Sequence, residues 1–528
     1  MIKKSAVLSL ICAVGLMTVF GGNTVYAAAQ EYPLKVAGKQ VTSDNAADIM
    51  EDGTVSYDPL TNTLTLDNAD LLVEKGNYGV RAEGDLNIEL KGTNKIESKD
   101  YYGIAVVAAS GGGTPSVIIS GNGSLESYGT DAGILMRGNL TISDSANVSS
   151  QCGDVTSGDA YGIRVYTDLT VCDNAKLSAK AGGAPNYSYG VYAGDDFTLS
   201  DNAVVISEAG KGVARSCGAY AISNIYMKDN ATLDVKGIDN SALGDIASES
   251  YGIRTTHMVV SGGTITATGQ GATGISAGIY TQDCTISGGT VTASSEDAKT
   301  AQSVGIQSKD FLIVSDGTLN ANGGNSTQDS WGIDASSKLT VTGGVINAMT
   351  GTGNKAYGID TDTMTVSGGV VIVNAGDVVS QSRGIRVINA LSMEDGILDI
   401  KSGNGESVSY GLQTGSLLDI TGGTVLVSTG DAAKSSAIHS GSDINITDAN
   451  IDVTSKGNGI YAPYGTVTIG CTSITPLQNA PGFDATNINV NAVGYGIYGE
   501  NGLIIDEKLN IPTTENGTAG GVAIVPVE

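Results

Sequence analysis

The chain has 528 residues, 74 of them glycine and 9 proline, with 22 tyrosines against 4 phenylalanines and 1 tryptophan, and a formal charge of −27. One core saturates near about 250–300 residues, so the chain is either several domains or one elongated stack. The acidity leaves no basic patch for phosphate contacts, which excludes nucleic acid and disfavours anionic polymers unless divalent cations bridge the two, although it also serves solubility alone; glycine at no strict third position excludes collagen.

Residues 1–28 read as a signal peptide: Lys3-Lys4 form a basic start, Ala6 to Phe20 are mostly apolar, and Tyr26-Ala27-Ala28 precedes the cleavage point. The apolar run is too short to span a bilayer well, and no other stretch of about 18 apolar residues follows, so the mature chain is expected without a transmembrane segment. Loss of Lys3 and Lys4 takes the charge from −27 to −29. Five cysteines remain (Cys152, Cys172, Cys217, Cys284 and Cys471). An odd number without a CxxC pair, in a long chain, points away from a disulfide scaffold or a zinc site.

Residues 29–73 form a segment of their own, expected as an N-terminal β cap. Val36, Val41 and Ile49 precede SYDPLTNTLTLDNADL, which reads as strand, Pro-Leu-Thr-Asn turn and strand. A cap of this kind hides the unpaired edge at a solenoid's end. Val41, Thr42, Asn45, Ala46, Asp48 and Ile49, then Ser56 to Pro59 and Asn62 to Leu66, resemble the N-terminal segment of secreted β-helix proteins from Gram-positive, Clostridia-type bacteria. The resemblance implies a protein type and no activity.

From 74 to 515 the chain repeats. WGIDASSKLTVTGGVINAMTGTGNKA from Trp331 is followed by YGIDTDTMTVSGGVVIVNAGDVVSQS from Tyr357. The anchors are Gly79, Gly103, Gly133, Gly162, Gly190, Gly218, Gly252, Gly278, Gly305, Gly332, Gly358, Gly384, Gly411, Ala437, Gly459 and Gly496. Their spacing is 26 or 27 residues from Gly252 to Ala437 and 22 to 37 elsewhere, which puts length variation in loops. After each anchor comes an aliphatic residue, larger than alanine at all positions but Ala219. Stacked about 4.8 Å apart these make an internal ladder. The expected fold is all-β: a right-handed, single-stranded parallel β-helix (β-solenoid) of about 16 coils of 26–28 residues. Residues 516–528 are left as a tail or closing strand. The Ser-Gly-Gly-Thr corners, replaced by Asp-Asn at Asp173, Asp201 and Asp229, match a turn that needs positive φ.

Two residues after each anchor, alternation turns the side chain outward. That file reads Arg81, Ala105, Leu135, Arg164, Tyr192, Tyr220, Arg254, Tyr280, Gln307, Asp334, Asp360, Arg386, Gln413, His439, Tyr461 and Tyr498. Tyrosine offers a flat ring with a polar tip for a sugar face, and arginine a fixed fork of donors. Tyr192, Tyr220, Arg254, Tyr280, Asp334, Asp360, Arg386, His439, Tyr461 and Tyr498 are the candidate ligand-binding residues. An ordinary solvated sheet face uses the same residue types, so both readings stand. Asp334 and Asp360 are candidate Ca²⁺ ligands, with Asp362 close by, or two solvated carboxylates. A second set (Tyr78, Tyr102, Tyr161, Tyr189, Tyr251, Trp331, Tyr357, Tyr410 and Tyr495) immediately precedes the anchors and is expected to turn inward as core or corner filler. Catalysis has little material: His257 and His439 are the two histidines, and Asp334, Asp360 and Arg386 are the nearest approach to a lyase or hydrolase constellation.

Gly-Ile-Asp…Leu-Thr-Val-Thr-Gly-Gly-Val-Ile and Gly-Ile-Asp…Met-Thr-Val-Ser-Gly-Gly, within Gly332 to Gly369, resemble a clostridial family of carbohydrate-binding β-helix domains. That resemblance implies a non-catalytic, calcium-carrying domain that binds plant cell-wall polysaccharide. The expectation is a secreted or cell-surface, adhesin-like protein that binds polysaccharide or host glycan. The alternatives are a structural rod contacting protein partners and, behind it, a polysaccharide lyase or hydrolase.

Overall fold

Alternating apolar residues bury one side of a strand, and here three such strands per repeat turn their apolar sides toward a common axis. A computed structural model describes residues 28–74, 76–240, 248–298, 302–470 and 487–506. The leader before Ala28, Cys471 and the 516–528 tail lie outside them. The chain is an all-β parallel solenoid of about 15 turns, with no helix among the described residues.

The start is antiparallel. β1 (Glu31–Val36) pairs with β2 (Lys39–Thr42), and β3 (Val55–Asp58) with β4 (Thr63–Asp67). β5 (Asp70–Val73) leads to β6 (Val80–Glu83), the first strand to carry an anchor-following residue. β1 runs antiparallel along the outer edge of β6, with Leu34 opposite Ala82 and Val36 opposite Val80. β4 stacks parallel on β7 (Leu86–Lys91), which opens the coil ladder. Val36, Val41 and Ile49 are buried beneath these strands.

Beyond β6 every pairing between coils is parallel. The anchor-following residues form one unbroken file: Val80 pairs with Ile104, Ile104 with Ile134, and so on through Ile333, Ile359 and Ile385 to Ile460 and Ile497. All sixteen are fully buried. A parallel file runs through the second strand of each coil. There Cys284 is a rung between Met258 and Leu312, so the buried thiol serves as a small hydrophobe. Burial raises it to about 12.

The anchor glycines answer a packing demand. A Cβ on Gly252 would lie 2.7 Å from the Gly278 carbonyl oxygen and 2.7 Å from the Ala267 carbonyl carbon, because the third strand crosses directly behind it. Residues facing the anchor from that strand are small in many coils, such as Ser150, Ala179, Ser207 and Ala267. The Ser150 and Ser207 hydroxyls donate to the Gly162 and Gly218 carbonyls. Positive φ is needed at the other corner, at the second glycine of each Gly-Gly pair, for example Gly369 at 80°. In the Asp-Asn corners the left-handed residue is the aspartate rather than the asparagine: Asp173, Asp201 and Asp229 sit at 58–60°. Each accepts the backbone N–H of the equivalent aspartate one coil earlier, at 3.0–3.2 Å. That bond explains why aspartate substitutes for glycine there.

Candidate functional site

The strand that carries each anchor changes face at it. Pairing skips the glycine, as where Tyr161 opposes Tyr189 and Ile163 opposes Val191. As a result the residue before the anchor and the residue two after it share the outer side. The residue two before the anchor turns inward instead; it is commonly serine. Ser188, Ser276, Ser330, Ser382 and Ser409 donate to glycine carbonyls at the coil corner, 2.8–3.0 Å away. Ser330, Ser382 and Ser409 also accept a glycine N–H from the next coil. This buried serine file was present in the repeats as Ser-Xaa-Gly and escaped the reading of alternation alone.

The aromatic set before the anchors therefore differs from expectation. Tyr161, Tyr189, Tyr251, Tyr357 and Tyr410 are buried. Tyr161, Tyr189 and Tyr251 belong to a cluster separate from the axial core that packs against Tyr192, Tyr220 and Tyr280. They lie over the sheet's outer face, edge-on at Tyr161–Tyr192 (5.5 Å, 83°) and tilted at Tyr251–Tyr280 (5.3 Å, 52°). Tyr495, at 48% exposure, is only half covered.

The predicted outward file is one continuous register, with Arg164 paired to Tyr192, Tyr192 to Tyr220, Tyr220 to Arg254, Arg254 to Tyr280 and Tyr280 to Gln307. It then continues from Asp334 to Asp360, Arg386, Gln413, His439, Tyr461 and Tyr498. Chemically it falls into three stretches.

In the first, arginines cover the rings. Arg164 lies 4.3 Å from the Tyr161 centroid and 4.6 Å from that of Tyr166. Arg254 lies 5.1 Å from Tyr280 and 5.5 Å from Tyr251, and also meets Glu249 at 3.4 Å. Ring faces occupied by guanidinium are not free to stack on a sugar.

In the second stretch the charged groups are paired, although Gln307 Oε1 and Trp331 Nε1 are buried without a hydrogen-bond partner. Arg386 donates to both oxygens of Asp360 (Nε–Oδ1 2.6 Å, Nη2–Oδ2 2.5 Å) and lies 4.3 Å from the Tyr357 ring. Asp334 accepts from Gln307 at 2.5 Å and Ser336 at 3.2 Å, and burial holds its carboxyl above the usual range. Asp362 accepts from Asn389. Each carboxylate proposed for Ca²⁺ thus has other partners. No group of three or more His, Cys, Asp or Glu side chains with metal-ligand geometry occurs among the described residues. Asp360 and Arg386 are closed on one another, and His257 lies on another strand, bonded to Asp283 at 2.6 Å.

The third stretch is open. The His439 imidazole stacks on Tyr410 at 4.5 Å and 8° and is tilted against Tyr461 at 5.7 Å and 35°. They line a groove of about 500 Å³, together with Ala432 to Ser436, Lys456 to Asn458, Pro463 and Tyr464. Tyr464 is 76% exposed. Beyond Tyr461 the rings of Tyr495 and Tyr498 stack 4.7 Å apart, and the Tyr498 hydroxyl donates to Glu500. The groove opens because the loop between third and first strands shortens. It runs over five residues, 429–433, before Lys434–Ser440, and over two, 456–457, one coil later. The 22-residue spacing from Ala437 to Gly459 carried that signal.

His439 is neutral at physiological pH. Burial, then the charges of Arg383 and Lys434, lower it to about 4. Its Nδ1 is buried without a protein partner. Of the ten predicted ligand residues, the structure brings His439 and Tyr461 together in the groove and places Tyr498 next to it; the other seven lie along the covered face. Lys434, Lys456, Asn458 and Tyr464 are the residues that sequence reasoning missed. Comparison with family models, with curated proteins and with solved structures returns no match.

Proposed function

We propose that the protein is a non-catalytic, secreted or cell-surface glycan-binding rod, adhesin-like, whose ligand sits in the groove between Tyr410, His439, Tyr461 and Tyr464. The observation that carries the reading is an open groove of about 500 Å³ whose walls combine aromatic rings with hydrogen-bonding side chains. That is the size and chemistry of a site for one or two sugar units. The clostridial carbohydrate-binding resemblance agrees with it, and the basic, apolar leader at residues 1–28 supports export. A glycan array probed with the protein tests the reading. Saturable binding that Tyr461→Ala and Tyr464→Ala weaken is the expected result; no binding to plant, host or bacterial glycans would overturn it.

A second reading has its own observation. From Tyr161 to Arg386 many rings and charges of the outer face are engaged with one another, as a structural rod requires. If the array is silent, this reading stands and the partner is a protein.

A further inference from the structure

The groove has a charge opposite to that of the chain. The protein carries 55 acidic against 28 basic residues, yet none of the groove-lining residues is Asp or Glu, while two are lysines. Lys434 and Lys456 are both exposed. Neither forms an ion pair among the described residues, unlike Lys39, Lys91, Lys95, Lys99, Lys180 and Lys355, so both ammonium groups are left for a ligand. The acids nearest the groove's rim are Asp431, next to Ala432, Glu406, whose backbone carbonyl accepts from the Ala433 N–H, and Glu500, felt at Tyr461 and engaged by the Tyr498 hydroxyl. Arg383 lies behind Tyr410, bonded to Gln413 and Gln381.

Two free ammonium groups beside a Tyr–His–Tyr wall make an anion subsite next to a ring-stacking surface. We infer that the groove selects a saccharide bearing a single negative group, a carboxylate or a sulfate ester, on its terminal residue. This rests on the glycan-binding reading above and adds the ligand's charge to it. The ring of the terminal sugar lies against Tyr461 and Tyr464, and its anionic group lies between Lys434 and Lys456. Polyanions are disfavoured by the same electrostatics: a chain of net charge −27 repels the rest of an acidic polymer, whatever its end can reach. Recognition is therefore end-on and independent of calcium, since the lysines supply the charge.

The test is titration calorimetry of the full chain with lactose, sialyllactose, sulfated lactose and polygalacturonate, with and without calcium. It is repeated with the Lys434→Gln/Lys456→Gln double variant and with Tyr461→Ala, each checked for an unchanged melting transition. The expected result is that one or both singly charged lactose derivatives bind at least tenfold more tightly than lactose and polygalacturonate. That advantage falls with added salt and disappears in the double lysine variant. Whether the carboxylate or the sulfate arm responds identifies the source of the charge. Equal binding of lactose and its acidic derivatives, lost in Tyr461→Ala and unaffected by the lysine substitutions, would overturn this inference and leave the glycan reading intact. Preference for polygalacturonate would overturn the end-on mode. Absence of binding by every saccharide, on the array as well, would remove both.

Discussion

Arg386 closes both oxygens of Asp360, one coil below it, at 2.6 and 2.5 Å, and stacks on Tyr357 in the same coil as that acid. The pair sits on strands already locked in register, and Asp360 is only 8% exposed. Removing the guanidinium leaves a shielded carboxylate with no donor of comparable strength. Arg386→Ala is expected to destabilise by about 2–4 kcal/mol, less than a fully buried pair because the arginine is itself partly exposed. Arg386→Ala with Asp360→Ala should recover part of that loss. Denaturant midpoints across the double-mutant cycle measure the coupling, and additive losses would show that the pair is merely adjacent.

A second expectation concerns the anchor glycines. A Cβ on Gly358 would overlap the Val373 side chain and come within 2.6 Å of the Gly384 carbonyl oxygen. Overpacking of this kind costs about 1–3 kcal/mol. Gly358→Ala should lower stability by that amount, and adding Val373→Ala should recover some of it. At Gly252 the obstructing atoms are backbone, so trimming a side chain offers no relief. If Gly252→Ala melts like the wild type, close approach of the third strand is not why these positions are glycine.

The coil ladder was legible in the sequence because one rule, alternation about a repeated Gly-Ile, fixes both the buried file and its pairing from Val80 to Ile497. Alternation failed at the anchor itself. Glycine there lets the strand change face, so Tyr161 and Tyr189 went outward and the serines two before the anchor went inward. Such a reversal leaves no trace in hydrophobic period, since tyrosine is apolar enough to read as core and serine polar enough to read as surface. The binding face was legible as a file but not in its divisions. Which rings are covered depends on arginines reaching along and across coils, such as Arg164 over Tyr161, Tyr166 and Tyr192. Sequence spacing shows that these residues are neighbours and is silent on which ring a guanidinium chooses.

That division predicts unequal mutational effects along the file. Tyr280 has Arg254 at 5.1 Å and Lys309 at 5.7 Å from its centroid, whereas Tyr461 lines the open groove. Tyr461→Ala should reduce glycan affinity at least tenfold, in line with about 1–3 kcal/mol for a stacking ring. Tyr280→Ala should leave affinity within about twofold and lower stability instead, by the roughly 0.5–1.5 kcal/mol of an aromatic contact plus its buried area. Array titrations paired with thermal melts separate the two. An affinity loss confined to Tyr280→Ala would move the site to the covered face.

The last expectation is a pH dependence with a definite sign. His439 titrates near 4 in the folded chain, because burial and then the charges of Arg383 and Lys434 oppose its protonation, against about 6.5 when unfolded. Between those values the unfolded chain binds more protons, so stability rises with pH through that window and is lost as the pH falls from about 6.5 toward 4. The difference amounts to roughly 2–3 kcal/mol. Asp329 and Asp334 act in the opposite direction, since burial raises both and the folded chain then holds protons more firmly than the unfolded one at acid pH. The net slope of the wild type therefore mixes the two contributions, and subtraction isolates one. His439→Gln keeps a flat polar group between Tyr410 and Tyr461 and carries no titrating proton. Its denaturant midpoint should fall less than that of the wild type between pH of about 7 and about 4.5. Parallel loss in both proteins would mean that the imidazole in the groove protonates freely and that its position between the two tyrosines does not exclude charge.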